Sequence, residues 1–378
     1  MTRDIIVCSL ERWDDVWRRN QFLVRELLAL HPERRVLFVA PAWDAMHGIV
    51  NRRPPPGPAL RTVEIGRLWE LTPRKWLPRL AGPFADRSLY RQVGTAVQRV
   101  GLTRPVLWVN DSVYAGLVDV TGYSTVYDIT DDWLLLPFPD REIVRRRARE
   151  ASLLRQAAEV VVCSENLAAS RGRARPVHLI PNAVDADAFR RPAPRPLDLP
   201  AGATAVYVGT LHDDRIDVDL VVRLAAAVHR ATVVLVGPNC LSRTSQQRLD
   251  AMPNVRVLGS RPYATVPAYL QHASVVIVPH RVTPFTASLD PIKAYECEAV
   301  GTPTVATPLP GFVPDRGCIR TAAPGAWVEA VRAMIEEPPA AAPTDGLPTW
   351  RDRARVFDTV LQAAVRHRPS VGAAEPGP

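Results

Sequence analysis

Short apolar runs of strand length alternate along this chain with longer segments whose apolar residues recur at helical spacing. "DIIVCSL" (4–10), "RVLFVAP" (35–41), "RPVLWVN" (104–110), "STVYDIT" (124–130) and "EVVVCS" (159–164) are runs of the first kind. "WRRNQFLVRELLAL" (17–30) and the very basic "REIVRRRAREASLLRQ" (141–156) are of the second. Continuous apolar strands separated by helices predict a parallel sheet covered on both faces. The pattern stops at the proline-rich stretch 191–200 and starts afresh. "ATAVYVGTL" (203–211), "ATVVLVGPN" (231–239), "VRVLGS" (255–260), "SVVIVPH" (274–280) and "TPTVATP" (302–308) form a second series. The expected fold class is α/β, with two Rossmann-like domains whose parallel sheets face a central cleft. Ligands of such sheets bind at the carboxyl ends of the strands, so the residues just after each run are the ones to inspect.

Length and composition agree with two domains. A chain of 378 residues exceeds one ordinary core. With 47% hydrophobic and 23% charged residues it reads as soluble and globular. The formal charge of +8 points to nucleic acid, an anionic membrane surface or a phosphorylated ligand. Nucleic acid is not expected, because the arginines are dispersed and no reading module is present. No C-x-x-C pair, phosphate-binding G-x-x-x-x-G-K-[ST] loop or G-x-G-x-x-G fingerprint occurs. The five cysteines stand apart and read as small buried hydrophobes in a reducing compartment. No signal peptide and no apolar span of 18 residues is visible, so a cytoplasmic protein is expected, at most peripheral on the inner face of a membrane.

Only two of the 47 basic residues are lysines, Lys75 and Lys293. Lys293 lies in "SLDPIKAYECEAVGTPTVA" (288–306), where Asp290 reads as a helix N-cap, Pro291 as the first helical residue and Gly301 as the terminator. A cation in the first turn opposes the helix dipole, a cost that makes sense if an anion binds there. Glu296 follows one turn on, on nearly the same face. Phosphates on Lys293 and the free amides, with ribose hydroxyls on Glu296, would suit a nucleoside diphosphate. The alternative is an i,i+3 surface ion pair.

This segment resembles the nucleotide-sugar-binding motif of GT-B glycosyltransferases, especially family-4-like bacterial enzymes. Three more stretches resemble that family in the right order: "TVYDITDDW" (125–133), similar to teichuronic-acid and exopolysaccharide glycosyltransferases, "HLIPNAVDADAFRR" (178–191) and "YVGTLHDDRIDVDLV" (207–221). "RWDDVWRRNQFLVREL" (12–27) is also similar to that subgroup. The resemblance implies a GT-B fold, with an acceptor-binding domain at 1–190 and a donor-binding domain at 191–346. A C-terminal helix at 347–368 would cross back to the first domain, and 369–378 would be a disordered tail. The implied activity is that of a hexosyltransferase-like enzyme moving a sugar from a nucleotide diphosphate sugar, a UDP-sugar by expectation, to a hydroxyl. The acceptor would be a glycan, a lipid-linked molecule or a small molecule. The nucleotide sugar is a co-substrate, and no cofactor or essential metal is implied.

The resemblance also implies residue roles. Glu296 would bind the donor ribose, Lys293 the diphosphate, and Arg215, in the turn after Gly209, a further phosphate oxygen. Ser288 stands where many relatives carry a sugar-contacting glutamate, and Thr210 where an arginine is common, so those contacts depart from the pattern. On the acceptor side Asp128, Asp131 and Asp132 follow an apolar run. A carboxylate there can act as general base, with Asp131 first and Asp132 second, or "TDDW" can be a helix cap. Asp111, His47 and His212 are weaker candidates. "HDD" (212–214) and "DAD" (185–187) read as turns and caps, not as metal ligands. "RKWLPRL" (74–80) mixes Arg74, Lys75 and Arg79 with Trp76, Leu77 and Leu80, a pattern suited to an anionic membrane surface or to ordinary loop packing. Two other readings remain open in the sequence: a nucleotide-sugar epimerase of the same fold, and a non-catalytic binding protein.

Overall fold

The structure, a computed structural model, describes residues 3–45, 59–76, 83–314, 316 and 318–366. The expectations for His47, Leu77, Arg79, Leu80 and the tail 369–378 lie outside the described residues. The chain divides into two compact units. The first takes Met1–Asp14, Arg18–Ile180 and Arg351–Pro378, and the second takes Asp15–Trp17 and Pro181–Trp350.

The first unit is built on strands β1 (Ile5–Cys8), β2 (Val36–Val39), β3 (Trp43–Asp44), β4 (Leu60–Glu64), β5 (Leu68–Leu71), β6 (Arg74–Lys75), β7 (Val106–Val109), β8 (Thr125–Ile129), β9 (Glu159–Val162) and β10 (His178–Leu179). Eight of them form one sheet in the order β10-β9-β8-β7-β1-β2-β5-β4, and β3 pairs with β6 apart from it. All neighbours in the large sheet are parallel except β4 on β5. The sequence pattern missed the β4–β5 hairpin. β4 lies at the sheet edge and buries none of its residues, so no continuous apolar run marks it. β5 hides Glu70, which is buried and accepts from the Trp13 amide and the Arg61 guanidinium.

Every residue of β1, β2 and β7 is buried, as strands covered on both faces require. The helix at Trp350–Arg366 covers part of this unit. Its Phe357 is fully buried with its ring centroid 4.4 Å from that of Trp108 in β7. The next residue, Asp358, accepts from Arg34 at 2.7 Å and lies 2.8 Å from His31 Nε2.

The second unit has β11 (Ala203–Val208), β12 (Ala231–Val236), β13 (Val255–Gly259), β14 (Val275–Val278), β15 (Thr304–Ala306) and β16 (Ile319–Thr321), in the order β13-β12-β11-β14-β15-β16 and parallel throughout. Alternate side chains serve opposite faces. Val275 and Ile277 pack with Leu220, Leu224 and Trp327, while Val276 and Val278 pack with Phe189, Ala294 and Cys297. The helix at Ile292–Val300 thus lies on the second face and ends at Gly301, whose φ of 71° is the left-handed terminator expected. Cys8, Cys163 and Cys297 are buried as expected, but Cys240 is exposed, because it falls in the loop beyond β12 and not within the strand.

The contact that docks the last helix is testable. Phe357→Ala removes a fully buried ring and should cost about 3–5 kcal/mol of unfolding free energy. Denaturant unfolding followed by circular dichroism measures it, and a loss below about 1 kcal/mol would mean that the helix is not part of this core.

Candidate active site

In the second unit the site grows from the carboxyl ends of β11 and β14. β11 runs into Gly209 at φ +150°, a conformation that side chains disfavour. A Cβ there would stand 2.2 Å from Lys293 Cε and 2.4 Å from Lys293 Nζ. Behind it, a Cβ on Gly237 would lie 2.1 Å from the Gly209 carbonyl oxygen. Two bare backbones therefore make the recess in which the Lys293 ammonium rests. Lys293 is the second residue of its helix, and Nζ lies 5.6 Å from the centre of the Tyr207 ring, on the attractive π system.

Arg215, Glu296 and two residues not picked out from the sequence join it. The turn holding Arg215 is closed by its amide on His212 O at 3.0 Å, and the Arg281 amide bonds Arg215 O at 2.7 Å. The guanidinium carbon lies 5.5 Å from the Phe285 ring centre. His280, the second residue beyond β14, is buried with Nε2 3.1 Å from the Tyr207 hydroxyl. Burial, with the charges of Lys293 and Arg215 added, holds its imidazole well below the ordinary histidine range. Glu296 is buried one turn after Lys293. Burial raises its carboxyl, while the Lys293 charge and the Tyr263 hydroxyl pull the other way. Lys293, Glu296, Val208 and Val278 also border a small cavity. His280 could have been found, since it follows a strand directly. Tyr207 reads as strand core, and Tyr263 opens a single short 3-10 turn, Tyr263–Thr265, too brief to leave a pattern.

Ser288 and Asp290 serve the loop itself. Ser288 is buried and its hydroxyl donates to Phe285 O at 2.7 Å, closing the short turn at Pro284–Ala287. Asp290 is not the N-cap expected, since Pro291 takes that position without a side-chain cap. Its carboxylate instead accepts from the Asn182 amide at 2.5 Å and the Tyr295 hydroxyl at 3.0 Å, and Asn182 Nδ2 returns a bond to Asp290 O. The "IPNAVD" stretch is thereby tied to the loop ahead of Lys293. Asp185 caps Ala186–Arg190 and Asp213 accepts from the Ser242 amide, so both serve turns and caps.

In the first unit the aspartates after β7 and β8 have different surroundings. Asp128, the fourth residue of β8, is fully buried and receives Arg19 and the Trp108 indole. Asp132 is buried under both arms of Arg171, at 2.5 and 2.7 Å, and Arg171 also bonds Glu150. It precedes the short helix Trp133–Leu135 but makes no side-chain cap. Asp131 is half-buried, accepts from Thr130 at 3.0 Å, and borders a cavity shared with Asn110, Asp111 and Arg146. Asp111 caps Ser112–Tyr114 through the Val113 amide, and burial raises its carboxyl. His212 pairs with Asp214 at 2.7 Å on the surface of the second unit. Trp76 is 57% exposed beside Arg74 and Lys75, with its ring 6.4 Å from Trp43.

Residues 202–337 match the family described as Glycosyl transferases group 1, so the second unit carries a domain of that family. A Bacillus subtilis (strain 168) protein named for teichuronic acid biosynthesis, TuaH, is 27% identical over 206 residues. That match takes in 50% of this chain and 51% of the relative, about half the length of each. Among solved structures, Anabaena Alr3699/HepE in complex with UDP and glucose superposes with a TM-score of 0.63 at 15% identity, covering 97% of this chain and 98% of that one. WaaG, a glycosyltransferase involved in lipopolysaccharide biosynthesis, gives 0.61 at 12% identity, with coverage of 97% and 98%. These likenesses show the fold, which is GT-B.

The cationic setting of His280 predicts a pH response. An unfolded chain protonates this histidine near pH 6.5, whereas the folded one resists. Its contribution to stability is therefore complete above about 6.5 and falls as pH drops from there toward the depressed folded value, by up to about 1.4 kcal/mol per unit. Ring nitrogen shifts should report a neutral imidazole at about pH 6, and protonation with a midpoint at the ordinary value of about 6.5 would overturn the assignment.

Proposed function

We propose that this protein is a glycosyltransferase that moves a sugar from a nucleoside diphosphate sugar to a hydroxyl acceptor. The observation that carries the proposal is the Lys293 ammonium seated against Gly209 at the start of a helix, within a domain of the group 1 glycosyl transferases. The chemistry follows from charge. Breaking the bond between sugar and diphosphate leaves negative charge on the nucleotide, and fixed cations and amide dipoles aimed at it lower the barrier. Lys293, Arg215 and the first amides of Ile292–Val300 supply that field. Glu296, one turn on, would accept hydrogen bonds from ribose hydroxyls, and a buried carboxylate beside an ammonium is well suited to do so. His280, kept neutral, can hydrogen-bond without adding a further positive charge. Ser288, turned to the Phe285 carbonyl, offers the donor sugar no carboxylate. This mechanism asks for no metal, because the diphosphate charge is met by side chains.

For the acceptor we assign the general base to Asp131. Asp132 is the weaker candidate: both its oxygens are held by Arg171, so neither is turned to an acceptor hydroxyl. HepE carries UDP and glucose, which supports a UDP-sugar as the donor class to try first. TuaH is named for teichuronic acid biosynthesis and WaaG is involved in lipopolysaccharide biosynthesis. Both support a cell-surface polysaccharide or a lipid-linked glycan as the acceptor class.

Two variants test these roles separately. Lys293→Ala should weaken binding of UDP by about 1.5–3 kcal/mol, the range for a charged hydrogen bond. Lys293→Arg should fail to restore it, since a planar fork does not fit where Gly209 crowds the ammonium. Titration calorimetry decides, and equal affinities in all three proteins would sink the phosphate role. Asp131→Asn should leave UDP affinity intact and lower turnover about 100-fold or more, as loss of a general base does. Full turnover of that variant with a glycosyl acceptor, followed by release of UDP, would move the assignment to Asp111.

A further inference from the structure

We propose that the first unit holds a second binding site, for a small organic anion, at the amino ends of β1 and β7. This is the end of the sheet opposite to Asp131. The site is a cavity of about 440 Å³ whose wall includes Ile5 and Val106, the first residues of those two strands. Its polar wall holds three cations, Arg3, Arg34 and Arg366, with His31 and Gln362. Its remaining wall is apolar, from Leu361 and Val365 on the last helix together with Ile5 and Val106.

Arg34 is the side chain that makes this a site. The helix Arg19–Leu30 stops at His31, and the Arg34 amide turns back onto His31 O at 3.0 Å, which sets Arg34 at the entry to β2. Its side chain is only 2% exposed. Nη2 donates to Asp358 at 2.7 Å, but Nε and Nη1 have no partner among the described residues. That leaves three N–H donors buried at the wall of a cavity. Buried donors without acceptors carry their full desolvation cost, so a chain that keeps them has a use for them or fills the space with water.

Asp358 cannot meet them. Its two oxygens already take Arg34 Nη2, His31 and Gln362 at 2.7–2.8 Å. Burial would raise its carboxyl, but the hydrogen bonds and charges of His31 and Arg34 hold it below the usual range, so it is already a well-satisfied anion. Of the nearby acids, Asp4 is bound by Arg35 at 2.6 Å, and Glu33 lies 3.9 Å from His31 Nδ1. The residues described at the cavity wall thus include Arg3, Arg34 and Arg366 and no carboxylate, which leaves an excess of positive charge. A phosphate or carboxylate head fits the donors, and an apolar body fits the aliphatic wall. The volume lies in the range of small-molecule sites. Because the wall joins strand ends to the last helix, such a ligand would also fasten that helix to the sheet.

Phenyl phosphate is a suitable probe, with inorganic phosphate as the headgroup alone. Both would be titrated by calorimetry into the full chain carrying Lys293→Ala, so that the cation of the second unit does not contribute. One site is expected, with phenyl phosphate bound at least about 10-fold tighter than phosphate, since burying the ring adds apolar area. Arg34→Lys keeps a cation for Asp358 but removes the guanidinium's Nε and Nη1 donors, and should weaken phenyl phosphate at least about 10-fold, as loss of charged hydrogen bonds does. The Nε–H resonance of Arg34, followed by nitrogen-edited NMR in the same titration, should move on binding, a readout that does not depend on the variant folding. An unmoved Nε–H signal, or equal affinity with Arg34→Lys in a folded protein, would overturn the proposal and assign the donors to water.

Discussion

The second unit turns on one contact, the Lys293 ammonium held against the bare backbone of Gly209. Three features oppose that position. The helix dipole puts its positive end there, Arg215 adds a second cation, and the lysine is half-buried. The neighbourhood shows the repulsion of like charge, for His280 is pushed toward its neutral form. Glu296 returns only part of the balance, since its own burial works against ionisation. What remains is a positive field, and the Gly209–Gly237 pair gives it a recess that any side chain would close. A multiply charged anion completes such a place, and a diphosphate does so with several oxygens at once.

The same helix explains why the loop before it is built as it is. Ser288 and Thr286 satisfy the backbone of the short turn Pro284–Ala287, and Asp290 reaches away to Asn182 and Tyr295. An aspartate capping the helix would place a negative charge beside its first amides and compete for them with any incoming phosphate. With Pro291 at the cap, that position brings no side chain to them.

The strands of both units were legible because their burial on two faces writes an apolar run into the sequence, and the turn at Gly301 was legible because only a left-handed residue ends that helix so. The β4–β5 hairpin was not, since its edge strand is open to solvent and its inner strand hides a glutamate that arginine pairing makes tolerable. Lys293, Glu296, Gly209 and Arg215 stood out through motif and residue type, and they meet in one place. Tyr207 did not, because an aromatic residue in a strand is most often core, and only the fold puts a cation on its ring. The aspartates show the other limit. Adjacent in sequence, Asp131 and Asp132 are told apart by Arg171, a residue 39 positions from Asp132 whose fork no local pattern predicts.

The distribution of arginine and lysine then has a physical reading. Where this chain must fasten a carboxylate it uses a planar fork: Arg171 on Asp132, Arg35 on Asp4, Arg19 on Asp128. A fork that bonds through two nitrogens fixes direction as well as charge, and so locks elements together. A site of the kind proposed for the donor would need something else. It must hold charge near oxygens that move as a bond breaks, in a space only as wide as the missing side chain of Gly209. A compact ammonium with three donors on a flexible stem meets both conditions beside Gly209, where a planar guanidinium is too wide. These arginines fasten the structure, and the one lysine of the second unit stands where the proposed chemistry asks for a compact charge on a flexible stem.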